Sequence, residues 1–225
     1  MGVQLPRWVW IGAGALACIA GMVNAVGFLG FEHQAITHLT GTTTLLGAAI
    51  ASGDMRAATG LAGVALAFVV GAALGAMIVQ DATLKLGRRY GVALAVESLL
   101  LFAAVLLFRR QDVAGAWLAA MACGVQNAMA TTYSGAVVRT THLSGMFTDL
   151  GIGLGNVVRG MKSNSRRVML SITVITGFLA GGIAGAWAFD LLAFKSLYIA
   201  AAIAAGVAGA YALFRVVKDR RQLSA

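Results

Sequence analysis

Charge is scarce in this chain. Lys and Arg number 17 and Asp and Glu 8 among 225 residues, 11% together. A water-facing domain carries about 25%, so a soluble globule of this length is excluded. With it goes a nucleic-acid partner, since the net charge of +9 has no soluble basic surface to sit on. One proline and no Gly-X-Y period exclude a collagen-like chain, and 60% hydrophobic residues exclude a disordered one. The two cysteines, Cys18 and Cys123, lie in apolar stretches and imply no disulfide framework. Gly-x-Ser-x-Gly, His-Glu-x-x-His and cysteines at metal spacing are all missing. His33, His38, His142 and the acids are the only groups that could ligate a metal inside the membrane. The sequence therefore reads as no enzyme, with no metal or other cofactor.

What is present is hydrocarbon, with a mean hydropathy of +0.85. An isolated charge in lipid costs several kcal/mol, so charge-free runs mark the membrane segments. Five such runs approach the ~20 residues of a spanning helix: Trp8–Phe31, Ala57–Gln80, Val113–Val138, Val168–Phe189 and Ser196–Phe214. A sixth, Tyr90–Phe108, is interrupted only by Glu97. Two shorter segments, Thr37–Ser52 and Thr141–Gly155, are rich in Thr, Ser and Gly. The opening MGVQLPRWVW, with one arginine before a long apolar run, reads as the start of a retained helix. The basic end RVVKDRRQLSA reads as a cytoplasmic tail drawn to anionic lipid.

The chain also repeats itself. THLTGTTTLLGAAIA (Thr37–Ala51) and THLSGMFTDLGIGLG (Thr141–Gly155) share seven of fifteen positions at a shift of 104. Gly21–Ala25 matches Gly124–Ala128 at a shift of 103, and Phe68–Met77 matches Phe178–Trp187 at 110. The expected units are residues 1–110 and 111–225, together one membrane domain. Each half reads as helix, short polar segment, helix, helix. If the short segment only dips into the bilayer, the protein has six spans and inverted halves; if it crosses, eight spans and parallel halves. Lys and Arg distribute 13 to 4 in the six-span arrangement and 12 to 5 in the eight-span one, so loop charge does not separate them. Fifteen threonine-rich residues make a poor span, and inverted repeats with broken helices recur in transporters. The expected fold is all-α and integral to the membrane: two repeats of three spanning helices plus a re-entrant half-helix each, with eight spans as the alternative.

Gly-x-x-(Asn/Asp)-Ala closing a helix, followed by His-x-Thr-Gly-x-Thr, resembles the YoaK-like family of small bacterial inner-membrane proteins (domain-of-unknown-function family 1275). The residues are Gly21-Met22-Val23-Asn24-Ala25 and His38-Leu39-Thr40-Gly41-Thr42-Thr43, then His142-Leu143-Ser144-Gly145 with Thr148-Asp149-Leu150-Gly151. This chain has Asn24 where the family commonly has aspartate, and Thr42 where asparagine is common. The resemblance implies about six spans in a bacterial inner membrane and no assigned chemistry.

The duplicated polar residues are the candidate site. Thr37 or Thr141 would cap the helix that follows, its N–H groups pointing at a cavity. Two such helix starts related by inversion suit an anionic or strongly dipolar ligand. The expected substrate-binding set is Asn24, His38, Thr40, Thr42, Asn127, His142, Ser144 and Thr148. Packing is the competing role for these groups, and interhelical bonding for Asn24 and Asn127. Glu97, or Asp149 paired with Arg139, would exchange a proton; the alternative is a structural ion pair for Asp149 with Arg139, and for Glu97 a protonated acid bonded to a helix backbone. Gly71/Gly75 and Gly177/Gly181/Gly185 allow close helix approach. Pairing within the chain is the first expectation and a homodimer the second. The expectation overall is a transporter of a small polar or anionic solute, with coupling to protons, in the inner membrane with both termini cytoplasmic. A channel, or a non-transporting scaffold or regulatory protein, is the alternative.

Overall fold

The apolar runs fold as helices because each has length, no internal proline and a strong supply of Ala, Leu and Val. The computed structural model describes residues 7–30, 36–80, 88–133 and 139–223, with side chains for 9–30, 36–80, 89–132 and 139–213. His33 and the ends of the runs at Phe31 and Val138 lie outside the described residues. The elements are α1 (Arg7–Gly30), α2 (Leu39–Ser52), α3 (Met55–Val79), α4 (Arg88–Phe108), α5 (Ala114–Tyr133), α6 (Leu143–Val158), α7 (Ser165–Leu192) and α8 (Leu197–Leu223). A short 3-10 turn, Ala193–Ser196, separates α7 from α8. No strand occurs among the described residues.

Side-chain caps set where several helices begin. Asp54 accepts from the Ala57 amide at 3.0 Å to open α3. Asn164, the same place in the second half, accepts from Arg167 at 3.3 Å to open α7. Gly53 at φ 76° ends α2, a left-handed conformation that glycine adopts without a Cβ clash.

Glycine then decides the pairing. A methyl on Gly181 would fall on the Cys18 carbonyl oxygen, one on Gly21 would fall on that of Phe178, and one on Gly185 would stand 2.8 Å from that of Met22. The contacts advance together along both chains, so α1 and α7 lie parallel in backbone-to-backbone contact. The same seam recurs between α3 and α5. Gly71 meets the Met121 carbonyl, Gly124 that of Phe68 and Gly75 that of Val125. Each contact of the first seam maps onto one of the second by adding 103 on α1 and subtracting 110 on α7. Volumes even exchange sides: Gly63 makes room for Trp117 on α5, while its counterpart Thr173 meets Gly14, the counterpart of Trp117. The predicted small-residue stripes are thus spent on pairing inside the chain.

The helix directions follow. Gly115 abuts Phe108, so α5 turns back along α4. Ser98 donates to the Ala201 carbonyl at 2.8 Å and Phe102 packs on Tyr198, so α8 also runs against α4. Phe108 stacks on Phe194 with centroids 4.6 Å apart, and Gly30 lies against the same Phe194 ring. The ends of α1, α4 and α7 and the starts of α5 and α8 therefore share one end of the bundle. Helices α1, α4 and α7 point towards that end; α3, α5 and α8 point away from it.

The outside is greasy. Leu66, Met77, Leu99, Leu154, Val158, Trp187 and Leu191 are among many exposed large apolar side chains. A water-soluble surface does not tolerate so much exposed hydrocarbon, and a lipid-facing one requires it. Four helical stretches are long and apolar enough to cross a bilayer: Val9–Gly30, Met55–Val79, Arg89–Phe108 and Ser165–Leu213, the last comprising α7 and α8. Helix α5 is not among them, because Gln126, Asn127, Thr131 and Thr132 dilute its second half. This is a helical membrane protein.

Candidate functional site

The short helices do not run the length of their neighbours. Helix α2 has 14 residues, about 21 Å at 1.5 Å per residue. It ends beside the start of α3, where Ala49 packs with Ala58 and Leu61. Helix α6 ends beside the start of α7, where Gly153 lies against Val168. The starts of α2 and α6 are held inside by a matching pair of bonds. Asn24 Oδ1 accepts from both the amide and the hydroxyl of Thr37, at 3.1 and 2.8 Å. Asn127 Oδ1 accepts from the Thr140 hydroxyl at 3.3 Å, while its Nδ2 donates to the Cys123 carbonyl at 3.1 Å.

Both starts open on one cavity of about 450 Å³. Its polar wall is Thr37, His38, Thr40, Asn127, Thr131, Thr132, Arg139, Thr141, His142 and Ser144; Phe68 and Ala72 of α3 supply apolar floor. Residues 104 apart in the chain, His38 and His142, thus line the same space, with a hydroxyl following two positions after each. Arg139 is the one cation lining it among the described residues.

Of the expected binding set, His38, Thr40, Asn127, His142 and Ser144 come together, and Arg139 joins them. Asn24, Thr42 and Thr148 do not line the cavity. Asn24 is spent on Thr37. Thr42 is buried and donates to the His38 carbonyl at 3.3 Å, and Thr148 donates to the Ser144 carbonyl at 2.9 Å. Each threonine sits a turn past a cavity residue, where its hydroxyl bonds back along its own helix.

Two expectations need correction. The cap of α2 is His38 rather than Thr37: its Nδ1 accepts from the Gly41 amide at 3.3 Å, because the Thr37 hydroxyl is already committed to Asn24. At α6, His142 occupies the cap position without a side-chain bond, and Thr141 faces the cavity. The His142 ring instead lies over Gly145, where a methyl would stand 2.6 Å from Nε2. Asp149, likewise, pairs with Arg167 at 2.7 Å and not with Arg139. Two turns of α6 carry Asp149 away from the cavity and alongside the first turn of α7, leaving Arg139 behind at the helix start.

Glu97 stands apart from the cavity, buried on α4. Two polar cavity residues, and the partner of Asn127, escaped sequence reasoning. Thr131 and Thr132 follow Asn127 at four and five positions, so all three share one face of α5. Their counterparts on α1 are Phe28 and Leu29, and that break in the repeat was the available signal. Thr140 was hidden by the alignment, which pairs Thr37 with Thr141, whereas the bond to asparagine pairs it with Thr140.

A model of the family described as Protein of unknown function (DUF1275) matches residues 12–210. No curated protein and no solved structure matches the chain.

Proposed function

Because the chain belongs to the DUF1275 family, whose function is unknown, we propose a function from its cavity: transport of a small polar or anionic solute across a bacterial inner membrane. One observation carries the reading. Two short helices, one from each half of the chain, begin at a single polar cavity lined by His38, His142 and Arg139. Their free N–H groups and positive dipole ends add to the guanidinium, and together these favour negative charge on the ligand. The hydroxyls of Thr40, Thr131, Thr132 and Ser144 supply neutral bonds for orientation.

In this reading α2 and α6 are re-entrant half-helices, and the other six helices span in two inverted repeats. The opposite directions of α1 and α5, of α3 and α7, and of α4 and α8 support it. Charge sets the orientation: in that arrangement 13 of the 17 Lys and Arg fall on the side of the two termini, as expected of a cytoplasmic face. An acid exchanging a proton couples the cycle. The ion pair of Asp149 with a largely exposed Arg167 makes Asp149 a structural group, which leaves Glu97 for that role.

The test is uptake of a panel of small anions and zwitterions into liposomes containing the purified protein. For the transported solute, His38→Ala with His142→Ala is expected to abolish saturable uptake, and Arg139→Gln to weaken it most for anions. Uptake unchanged by the double histidine substitution would refute the site. Flux that fails to saturate and ignores a proton gradient would identify a channel instead.

A further inference from the structure

Two polar side chains inside the helix bundle each have an oxygen with no partner among the described residues: Glu97 Oε2 on α4 and Gln126 Oε1 on α5. Both residues are 1% exposed. Buried oxygens are nearly always bonded, so a pair of orphans needs an explanation. Their positions give one. Phe108 of α4 touches Gly115 of α5 and the two helices run in opposite directions. Glu97 lies eleven residues before Phe108 and Gln126 eleven after Gly115, so both stand about 16 Å along from that contact, at the same height.

An ionised carboxylate and an amide oxygen are both acceptors and cannot satisfy each other. A carboxylic acid can donate to the amide. Gln126 also has a second commitment. Its Nε2 donates to the Leu16 carbonyl of α1, a direct tie where the corresponding helices of the two halves cross. We infer that Glu97 binds a proton and donates it in a hydrogen bond to Gln126 Oε1, and that loss of this proton releases the tie between α5 and α1. The step balances simply: the acid gives its proton to water and becomes a carboxylate. The carboxylate then needs a donor, and Gln126 has one only if its amide turns over. Turning brings Nε2 to Glu97 and sets Oε1 against the Leu16 oxygen, two acceptors facing, so α1 and α5 separate there.

Among the described side chains, one other titratable group stands near this height. From α5 the titratable neighbour is Cys123, one turn before Gln126 on the same face. From α8 the buried residues at this height are Ala201 and Ala204; Tyr198 meets Phe102 and Tyr211 meets Gly91, both further along. Helix α3 brings its charged residue, Arg56, at the far end, and Lys195 lies beyond Phe108. The next residue after Gln126 is Asn127, which lines the cavity. A turn of α5 that follows the amide therefore reaches the candidate site. That last connection rests on the transport reading; the latch itself does not.

Infrared difference spectra between acidic and alkaline pH, on the protein in nanodiscs, test the latch. The carbonyl stretch of a hydrogen-bonded carboxylic acid is expected to vanish on alkalinisation. It should be missing from Glu97→Gln and shifted to the weaker-bonded position in Gln126→Leu. In a Cys18→Ala, Cys123→Ala background, a cysteine introduced as Thr132→Cys reports on the cavity. Its maleimide labelling rate, taken relative to that of a free thiol at the same pH so that the thiol's own ionisation cancels, should change over the pH range in which the band is lost. Adding Glu97→Gln or, should that variant not fold, Gln126→Leu should make the rate independent of pH. A spectrum in which Glu97→Gln removes no acid band, or labelling that keeps its pH dependence in both variants, overturns the latch. If band and labelling behave as expected but the histidine substitutions leave uptake intact, the transport reading fails and the latch stands.

Discussion

Replacing Gly71 or Gly181 by alanine should separate a helix pair that the fold depends on, and the cost can be worked from the geometry. A methyl on Gly75 would stand 2.7 Å from the Val125 oxygen and one on Gly185 2.8 Å from the Met22 oxygen, where ordinary contact begins at 3.4 Å. The shortfalls are 0.7 and 0.6 Å, and the backbones must part by that much. A gap of this size forfeits about a quarter to a half of each atom pair's well of ~0.1–0.2 kcal/mol; over a seam of on the order of 20–30 pairs that sums to roughly 1–2 kcal/mol. At Gly71 and Gly181 the methyl would coincide with the carbonyl oxygens of Met121 and Cys18, so the loss should lie at the upper end of the ~1–3 kcal/mol typical of overpacking. Gly206 and Gly209 of α8 meet nothing within 4 Å. Alanine there should be neutral or stabilise by up to about 1 kcal/mol through helix propensity. Thermal unfolding in detergent, followed by tryptophan fluorescence, gives the ranking. Gly71→Ala and Gly181→Ala should fall together at the bottom, Gly75→Ala and Gly185→Ala above them, Gly206→Ala and Gly209→Ala at or above the native protein. Should Gly181→Ala melt no lower than Gly209→Ala, the close parallel seam is wrong.

Further outcomes follow from the same contacts. His38→Ala should lower stability by ~0.5–2 kcal/mol through loss of a cap, whereas His142→Ala, which removes no cap bond, should leave melting nearly unchanged; equal shifts would contradict the assignment. Asn24→Asp should fold normally, since only the acceptor oxygen is used, while Asn24→Leu strands two buried donors of Thr37 at about 1–3 kcal/mol. Melting temperatures of the two variants decide this, and a stable leucine variant would show the bonds to be dispensable. Gly14→Trp should destabilise by crowding Thr173, and adding Thr173→Gly should restore much of the loss by copying the Gly63–Trp117 contact; a double variant no better than the single one would mean the two seams are not equivalent.

An aspartate at position 24 would have a physical basis here. Asn24 offers one oxygen to two donors and its nitrogen bonds none of the described residues, so a carboxylate serves as well. Position 127 differs, because Asn127 uses its nitrogen on the Cys123 carbonyl. Two asparagines at matching places in a repeat thus tolerate different replacements, which their shared motif conceals.

Scarce charge and long apolar runs were enough to determine helices and a lipid environment, because unpaired charge and unbonded backbone are both intolerable in hydrocarbon. The paired motifs likewise singled out His38, Thr40, Asn127, His142 and Ser144, since helix starts with recurring polar residues are legible as spacing. Which of those groups meet was decided only in three dimensions. Thr42 and Thr148 belong to the same motifs as their neighbours, yet one turn of helix carries them out of the cavity. Asp149 found Arg167 rather than Arg139 because α6 doubles back along α7, a contact no local pattern encodes. Glu97 and Gln126 reach the same height only because α4 and α5 pack antiparallel from a contact at Phe108 and Gly115. Sequence periodicity reports which face a residue occupies on its own helix; the partner of that face depends on how the helices are arranged, and that arrangement came from glycines far along the chain.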